Sequence, residues 1–342
     1  MTKMFDRLSG GRIWQRAAIS LTGACALMLG AEAASASEGG ASFYLLGSGG
    51  PGNAQLPPLP GLFFDTTTYI YDGSASAERR FVVGGNVVAN LDATIAANFM
   101  TALWVPSTDI AGGTLAVGLA IPVGRPSVDV GVVLTGPQGN QVNVSRSDAA
   151  SVFGDPVLTA AMSWDAGNNM HVAATTTINV PIGEYREGQL ANLSFNRWIA
   201  DFSIGTTWHD AEAGWDIGSK IGYTFNGTNS VTDYNTGTEF HAEASVERIF
   251  SESFSAGVQV YRFIQLTGDS GTGARLGPFK GRVTGIGATA AYNFRIGRTP
   301  TTLRFRIFQE FDAVNRLEGT AAFLSLSFPI SMRMPTAPPP QS

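Results

Sequence analysis

The feature that most constrains the fold of this chain is an alternation of apolar and polar residues with a period of two. In residues 197–209, RWIADFSIGTTWH, one face carries Trp198, Ala200, Phe202, Ile204, Thr206 and Trp208. The opposite face carries Arg197, Ile199, Asp201, Ser203, Gly205, Thr207 and His209. Successive side chains of a β-strand point to opposite faces, so this period predicts strands that have one apolar side.

The same alternation recurs in residues 90–99, 157–165, 215–226, 285–296, 303–307 and 323–328. In residues 90–99 the apolar face consists of Leu91, Ala93, Ile95, Ala97 and Phe99, and the polar face includes Asn90 and Asp92. The repetition along most of the chain predicts an all-β protein.

The spacing of the tryptophans indicates that the apolar faces meet lipid. Trp198 and Trp208 lie ten residues apart on one face, about 33 Å along a strand. A tilted strand of that length covers about 25 Å, the height of the apolar band on a membrane barrel, whose edges carry aromatic girdles. We therefore predict a membrane girdle formed by Trp164, Trp198, Trp208 and Trp215. A soluble sandwich, the alternative, would be expected to carry many Lys and Glu residues on its polar faces.

Short and long links alternate between the predicted strands, as in barrels with short periplasmic turns and longer outer loops. The sequence thus predicts a transmembrane antiparallel up-and-down β-barrel of about 12 strands, with 14 as the alternative. An even number keeps both termini in the periplasm, so residues 66–72 are interpreted as an inner or partial strand. Arg262 falls on an apolar face, which a bulge or an interface position would explain.

The two ends of the chain are not expected to belong to the barrel. Residues 1–36 have the basic start, short apolar run and small-residue cleavage pattern of a signal peptide, with a membrane anchor or a lipoprotein signal as alternatives. Their removal takes away four basic and two acidic residues and changes the formal net charge from −5 to −7, which argues against nucleic-acid binding. Residues 331–342 are predicted to be a disordered Pro-rich tail.

Residues 56–64, LPPLPGLFF, are apolar but rich in proline, which cannot donate to a sheet ladder. Irregular backbone at membrane depth is tolerated only inside a protein or along a cavity. We therefore predict that residues 37–80 plug the lumen of a barrel formed by residues 81–330, with a plain structural filler as the alternative. The predicted ligand and plug residues are Leu56, Pro57, Pro58, Leu59, Leu62, Phe63, Phe64, Tyr69 and Tyr71.

The polar faces supply the expected lumen. The predicted lumenal polar residues are Asn90, Asp92, Asp201, Lys220, His241, Glu243, Arg304, Arg306 and Glu310. Neither a catalytic residue nor a cofactor is predicted, because His209 and Asp210 are adjacent and point to opposite faces of a strand. A metal site at His241 and Glu243 is the less favoured interpretation of that pair, and charge balance by Arg304 and Arg306 is favoured.

Several segments resemble a family of bacterial outer-membrane transporters assigned to the phenol meta-cleavage degradation pathway, which includes the SphA-like proteins. The matching segments are residues 38–50, 57–73, 102–124, 153–185, 222–243 and 315–328. The resemblance implies a location in the Gram-negative outer membrane and passage of hydrophobic, often aromatic, compounds. One departure is the end of the last strand, where Phe328 is followed by PISMRMPTAPPPQS.

The favoured function is therefore an outer-membrane channel for passive uptake of hydrophobic or aromatic small molecules. The alternatives are a lipid-binding or structural outer-membrane protein that responds to sphingoid lipids and, least favoured, a barrel lipid hydrolase. The expected partners are membrane lipids, lipopolysaccharide, hydrophobic cargo and the barrel assembly machinery, with no nucleic acid.

Overall fold

The computed structural model describes residues 38–135 and 141–332. The predicted signal peptide and residues 333–342 of the predicted tail lie outside these ranges. Within these ranges a 3₁₀ turn (Glu38–Gly40) precedes the strands. The strands are β1 (Gly61–Val83), β2 (Asn86–Ile110), β3 (Gly113–Thr135), β4 (Gln141–Ala149), β5 (Val152–Phe153), β6 (Val157–Gly167), β7 (Met170–Asn179), β8 (Ile199–Asp210), β9 (Trp215–Asn226), β10 (Thr228–Asn229), β11 (Tyr234–Asn235), β12 (Glu239–Ile249), β13 (Phe254–Gln265), β14 (Arg282–Ile296), β15 (Thr299–Val314) and β16 (Glu318–Met332).

Twelve of these strands close into an antiparallel barrel. Around the ring the order is β1, β2, β3, β6, β7, β8, β9, β12, β13, β14, β15 and β16, and β16 pairs with β1 to close it. Among the described strands, β4 and β5 pair only with β3, while β10 and β11 form a separate ribbon. Closure pairs the backbone groups that the edge of an open sheet would leave free. The prediction of a twelve-stranded up-and-down barrel is confirmed.

The interpretation of residues 66–72 as an inner or partial strand is wrong, because they lie in β1 and pair on both sides. Thr68 is opposite Asn98 of β2 and opposite Leu324 of β16. The wall therefore begins at Gly61 rather than at the predicted residue 81. The physical reason is proline: the ladder starts at Gly61, directly after Pro60, which is the last of the three prolines in this short segment and has no N–H to donate.

The two ends of the barrel differ in the length of their links. Gly61 and Met332, the two ends of the wall, pair with each other at one end, which also carries short links such as residues 168–169 and 211–214. Asn168 and Asn169 have φ of 53° and 63°, as a tight two-residue hairpin turn requires. The long links, residues 180–198, 227–238 and 266–281, lie at the opposite end. We call these the turn end and the loop end; the pattern is that of periplasmic turns and extracellular loops.

The outward faces of β8 and β9 are apolar, as predicted. About half of the residue surface is exposed in Phe202, Ile204, Ile221 and Phe225. Asp201, which precedes Phe202 and points to the opposite face of β8, is buried in the lumen. Such an exposed apolar surface is stable only against lipid or a partner. Arg262 also lies on the outward side, where its guanidinium donates to the carboxylate of Asp312 at 2.7 Å.

The prediction for the faces of β2 is wrong. Leu91 and Ala97, assigned to the lipid side, are buried inside the barrel, whereas Asn90 and Asp92, assigned to the lumen, are exposed on the outside. β2 has 25 residues, about 85 Å of strand, whereas a membrane crossing needs only about 9–11 residues. The part of β2 near the loop end therefore extends beyond the membrane, and its outward side chains face water. The inward side chains of the same part line an apolar cavity. Within the described ranges no helix has both the length and the apolar character needed to cross a membrane.

Candidate ligand cavity inside the barrel

Residues 38–60, which we call the N-terminal segment, run along the inside of the barrel from the loop end to the turn end. At the loop end Glu38 forms an ion pair of 3.2 Å with Arg197 and also accepts hydrogen bonds from Asn229 and Thr232. Near the turn end the Gly52 N–H donates to Asp216 and the Ala54 N–H donates to Thr207. The segment then leaves the lumen through Pro60 and becomes β1.

The middle of the N-terminal segment is bound by charged lumenal side chains. Glu243 accepts the N–H groups of Gly47 and Gly49 at 2.8 and 2.9 Å. The Gly47 carbonyl in turn accepts hydrogen bonds from Gln259 at 3.2 Å and from Arg306 at 2.8 Å. Hydrogen bonds to ionised groups are roughly twice as strong as those between neutral groups, so these contacts fix the backbone at one point of the lumen.

An aromatic contact holds the segment just before this point. The Tyr44 ring stacks on the His241 ring, with centroids 3.4 Å apart and planes 10° apart. The Lys220 ammonium lies 5.2 Å from the centroid of the Tyr44 ring, within reach of a cation–π interaction. His241 also contacts Asp201, whose carboxylate lies 2.9 Å from its Nε2 atom.

On the other side of the N-terminal segment lies a cavity of about 250 Å³. The apolar side chains that line it come from the segment, from β1, β2 and β3, and from residues 180–198. They include Phe43, Leu45, Leu46, Tyr69, Leu91, Ala93, Ile95, Ala97, Phe99, Val128, Leu190, Leu193 and Phe195. The cavity is larger than the roughly 150 Å³ that holds a benzene molecule and smaller than the roughly 300–1,000 Å³ of drug-sized sites.

One end of the cavity, which we call the polar end, is formed by Glu310, Tyr71 and Tyr261. Glu310 of β15 accepts hydrogen bonds from the hydroxyls of Tyr71 and Tyr261 at 2.8 and 2.9 Å and from the Gly319 N–H at 3.2 Å. The Arg316 guanidinium lines the same cavity and lies 4.1 Å from the centroid of the Phe263 ring. A carboxylate and two phenol hydroxyls thus adjoin the apolar part of the lining, to which Glu38, Asp155 and Arg197 add further polar groups.

Glycines on the inward face make room for these large side chains. A Cβ atom at Gly285 would lie 2.2 Å from the Tyr261 ring, and one at Gly287 would lie 2.5 Å from the Phe308 ring. The inner wall therefore alternates small and large residues, as in small barrels whose interior is filled by side chains.

Residues 180–198 cover the loop end of the cavity and are organised by one carboxylate. Asp155 accepts hydrogen bonds from Gly183, Ser194, Phe195 and Asn196 of this link. The fifth donor is the side chain of Asn179 at the end of β7. Burial raises the pKa of Tyr185, which also lines the cavity, to about 12, so its hydroxyl remains neutral near neutral pH.

The structure places the predicted ligand and plug residues in three groups. Leu56, Pro57, Pro58 and Leu59 belong to the N-terminal segment near the turn end, apart from the cavity. Leu62 and Phe64 point outward from β1 and Phe63 inward, while Tyr69 and Tyr71 line the cavity. The apolar lining from the segment comes instead from residues 41–46, ASFYLL. Their run of large apolar side chains ahead of the first strand is the signal that would have found them.

Seven of the nine predicted lumenal polar residues lie inside the barrel, and Asn90 and Asp92 do not. The seven are Asp201, Lys220, His241, Glu243, Arg304, Arg306 and Glu310. Arg304 forms an ion pair of 2.6 Å with Glu247, an inward carboxylate on the same face of β12 as Glu243. The predicted girdle residues Trp164, Trp198, Trp208 and Trp215 lie on outward faces, as does Trp104 of β2.

The polar lumen contains a serine, a histidine and an aspartate that do not form a catalytic triad. Asp201 and Ser203 lie 2.9 and 3.5 Å from the same nitrogen of His241, its Nε2 atom. A triad needs the carboxylate and the nucleophile on different ring nitrogens. The Ser203 hydroxyl donates instead to Asp201 at 2.5 Å. Among the residues that the structure describes, no three His, Cys, Asp or Glu side chains are grouped to hold a metal ion.

Several solved structures are similar to this chain to different degrees. An outer membrane channel from Pseudomonas putida F1, described as the COG4313 channel, is 17% identical, covers 81% of this chain and 98% of its own, and superimposes with a TM-score of 0.64. A Pseudomonas aeruginosa FadL homologue is 10% identical, with 81% of this chain and 94% of its own covered and a TM-score of 0.41. The monoaromatic hydrocarbon channel CymD is 9% identical, with 81% and 89% covered and a TM-score of 0.41.

The likeness to the Pseudomonas putida channel shows that the chain has the fold of an outer-membrane barrel. No curated protein matches the chain in sequence. A family model does match, over residues 77–326, from within β1 to within β16. Because this match covers well over half of the 342 residues, the chain belongs to the family described as "Putative MetA-pathway of phenol degradation".

Proposed function

We propose that this protein is an outer-membrane channel through which hydrophobic or aromatic small molecules diffuse passively into the cell. The observation that carries the proposal is the apolar cavity inside the barrel. A lumen that only conducts ions or water has no reason to bury Leu91, Ala93 and Ala97 on its inner face. Apolar surface inside a barrel is stabilised by contact with an apolar ligand, since burial of apolar area is the main source of such binding.

The arrangement supports a route that begins at the loop end. The cavity lies beside Glu38, Arg197 and residues 180–198, all at that end. Below it the N-terminal segment occupies the lumen and is bound by Glu243 and Asp216. We infer that the segment acts as a plug, so that a ligand released from the cavity passes to the periplasm only when the segment shifts.

The relatives agree with this role. The family description refers to phenol degradation, which requires that aromatic compounds enter the cell. The Pseudomonas putida protein that shares the fold is described as an outer membrane channel. Membrane lipids, lipopolysaccharide and the barrel assembly machinery are proposed as partners because the barrel exposes an apolar band. We also propose that the protein is not an enzyme, since the Asp201, Ser203 and His241 side chains lack the geometry of a triad.

Uptake in intact cells tests the proposal. The protein is expressed in an outer-membrane host that lacks similar channels, and entry of radiolabelled toluene is compared with the empty host. Faster entry is expected from the wild type. No acceleration by protein that is folded in the outer membrane would contradict the channel and favour a lipid-binding or structural role.

Two neighbouring alanines of β2 give a matched pair of variants. Ala97 points into the cavity and Ala96 points outward. Ala97→Phe fills the cavity and is expected to abolish the accelerated entry of toluene. Ala96→Phe adds the same side chain on the outer surface and is expected to leave it unchanged. Equal effects of the two substitutions would show that the cavity is not on the route.

A further inference from the structure

We propose that Glu310, Tyr71 and Tyr261 select the ligand, and that they favour an uncharged single-ring aromatic compound that carries a hydroxyl group. This inference deepens the proposed channel function and rests on it. It assigns a specificity-determining role to three residues that converge from β15, β1 and β13 on one end of the cavity.

The size of the cavity limits the ligand to one ring with a small substituent. Its volume of about 250 Å³ exceeds the roughly 150 Å³ that is sufficient for benzene. It falls below the lower limit of about 300 Å³ for drug-sized sites. A long-chain lipid would have to displace the N-terminal segment, whose residues Phe43, Leu45 and Leu46 form one wall.

The hydrogen-bonding capacity of the polar end predicts a hydroxyl on that ring. A carboxylate offers about four acceptor sites, and Glu310 uses three of them for Tyr71, Tyr261 and Gly319. Each tyrosine hydroxyl donates its only proton to Glu310 but keeps acceptor lone pairs. All three residues therefore present acceptors to the cavity, and a ligand that donates one hydrogen bond matches them.

The charge distribution predicts that the ligand is neutral. The charged groups that line the cavity already have partners: Glu38 pairs with Arg197, Asp155 accepts five hydrogen bonds, and Glu310 accepts three. The Arg316 guanidinium donates to the Ser42 hydroxyl and lies over the Phe263 ring. A charged ligand would lose its hydration without meeting an opposite charge that lacks a partner, which is costly in an apolar site. A neutral hydroxyl group loses far less hydration free energy than a charged group does.

Binding of 4-fluorophenol and 4-fluorotoluene to the purified full-length protein tests this inference. The two probes have nearly the same size and differ in that only the phenol carries a hydroxyl. Titration followed by ¹⁹F NMR measures the affinity of each probe for the protein in detergent. The Ala97→Phe variant, whose cavity is filled, serves as the background measurement for the amount of each probe that partitions into the detergent micelle. The wild type is expected to bind the phenol at least about tenfold more tightly, the lower limit for one hydrogen bond to a charged acceptor.

A triple variant removes the polar end while keeping its shape. Tyr71→Phe, Tyr261→Phe and Glu310→Met together should bring the ratio of the two affinities close to one and leave the binding of 4-fluorotoluene intact. Replacing all partners by apolar groups of similar shape avoids leaving a buried donor unpaired. If the triple variant does not fold, the Glu310→Gln variant is tested instead. Its ratio of the affinities for 4-fluorophenol and 4-fluorotoluene is expected to fall severalfold. The control Glu247→Gln alters a buried lumenal carboxylate outside the cavity and should leave the ratio unchanged.

The outcomes separate this inference from the channel itself. Equal affinities of the wild type for the two probes would overturn the proposed selectivity but not the channel function. The same conclusion would follow if neither the triple variant nor Glu310→Gln changed the ratio of the two affinities. Absence of binding of either probe, together with unaccelerated uptake of toluene in cells, would overturn the channel function as well.

Discussion

Glu243 offers the sharpest perturbation, because it holds the N-terminal segment in the lumen through two backbone groups. In the Glu243→Gln variant the side chain keeps its shape, but one of its two oxygens becomes an NH₂ group that faces the Gly47 and Gly49 N–H donors. One charge-assisted hydrogen bond is lost and the other becomes a neutral one.

The magnitude follows from these two contacts. A hydrogen bond to a charged group contributes about 1.5–3 kcal/mol and a neutral one about 0.5–1.5 kcal/mol. The segment is therefore expected to be held less tightly by about 2–4 kcal/mol. A change of about 3 kcal/mol raises the fraction of barrels with a released segment on the order of 100-fold.

Single-channel recording in planar bilayers measures this fraction. If the N-terminal segment acts as the proposed plug, the wild type is expected to conduct poorly, and Glu243→Gln is expected to show frequent openings of larger conductance. Glu247→Gln is the matched control: Glu247 lies four residues further on the same face of β12 and pairs with Arg304 rather than with the segment. Wild-type conductance in Glu243→Gln, or equal openings in Glu247→Gln, would refute the role of Glu243 as the anchor.

Three further predictions concern the wall and the loops. Gly285→Ala forces a Cβ atom against the Tyr261 ring and should destabilise the barrel by about 1–3 kcal/mol, which appears as a lower temperature for loss of heat-modifiable mobility on gels. Asp155→Ala removes the acceptor of five hydrogen bonds and should expose residues 180–198 to protease while the barrel itself stays folded; uncut loops would contradict this. Burial raises the pKa of the Asp269 carboxyl from 3.8 to about 6, so its contribution to stability is present below pH 4 and is lost as the pH rises through 6. Amide hydrogen exchange around Asp269 should therefore become faster between pH 4 and 7, beyond its intrinsic pH dependence, and Asp269→Asn should remove the excess.

The outward surface could be predicted from the sequence because one physical rule governs it. Every outward side chain at membrane depth meets lipid, so Trp198, Phe202 and Ile204 recur at every second position without reference to any other strand. The predicted count of twelve came from the alternation of short and long links and from the need for an even number, although it wrongly left residues 66–72 out of the wall. Neither inference requires knowledge of which residues meet across the lumen.

The inner surface could not be predicted in the same way, because its contacts join distant parts of the chain. Glu243 binds Gly47, which lies 196 positions away, and Glu310 binds Tyr71, 239 positions away. The assumption of a uniformly polar lumen also reversed the faces of β2. An inward residue such as Leu91 is apolar because its neighbour is the cavity, and a period of two identifies the two faces of a strand without saying which one is inside.

These contacts divide the lumen into two halves with different tasks. On β8, β9, β12 and β13 the inner face is polar, and Asp201, Lys220, Glu243 and Gln259 hold the N-terminal segment or the side chains that contact it. On β1, β2 and β3 the inner face is apolar, and it leaves the space that the segment does not fill. The segment contacts both halves, because Phe43, Leu45 and Leu46 line the cavity and Arg306 of β15 donates to the Gly47 carbonyl. A shift of the segment would therefore also move one wall of the cavity. An irregular, proline-ended segment suits this position because it crosses the lumen without pairing with either half as a strand.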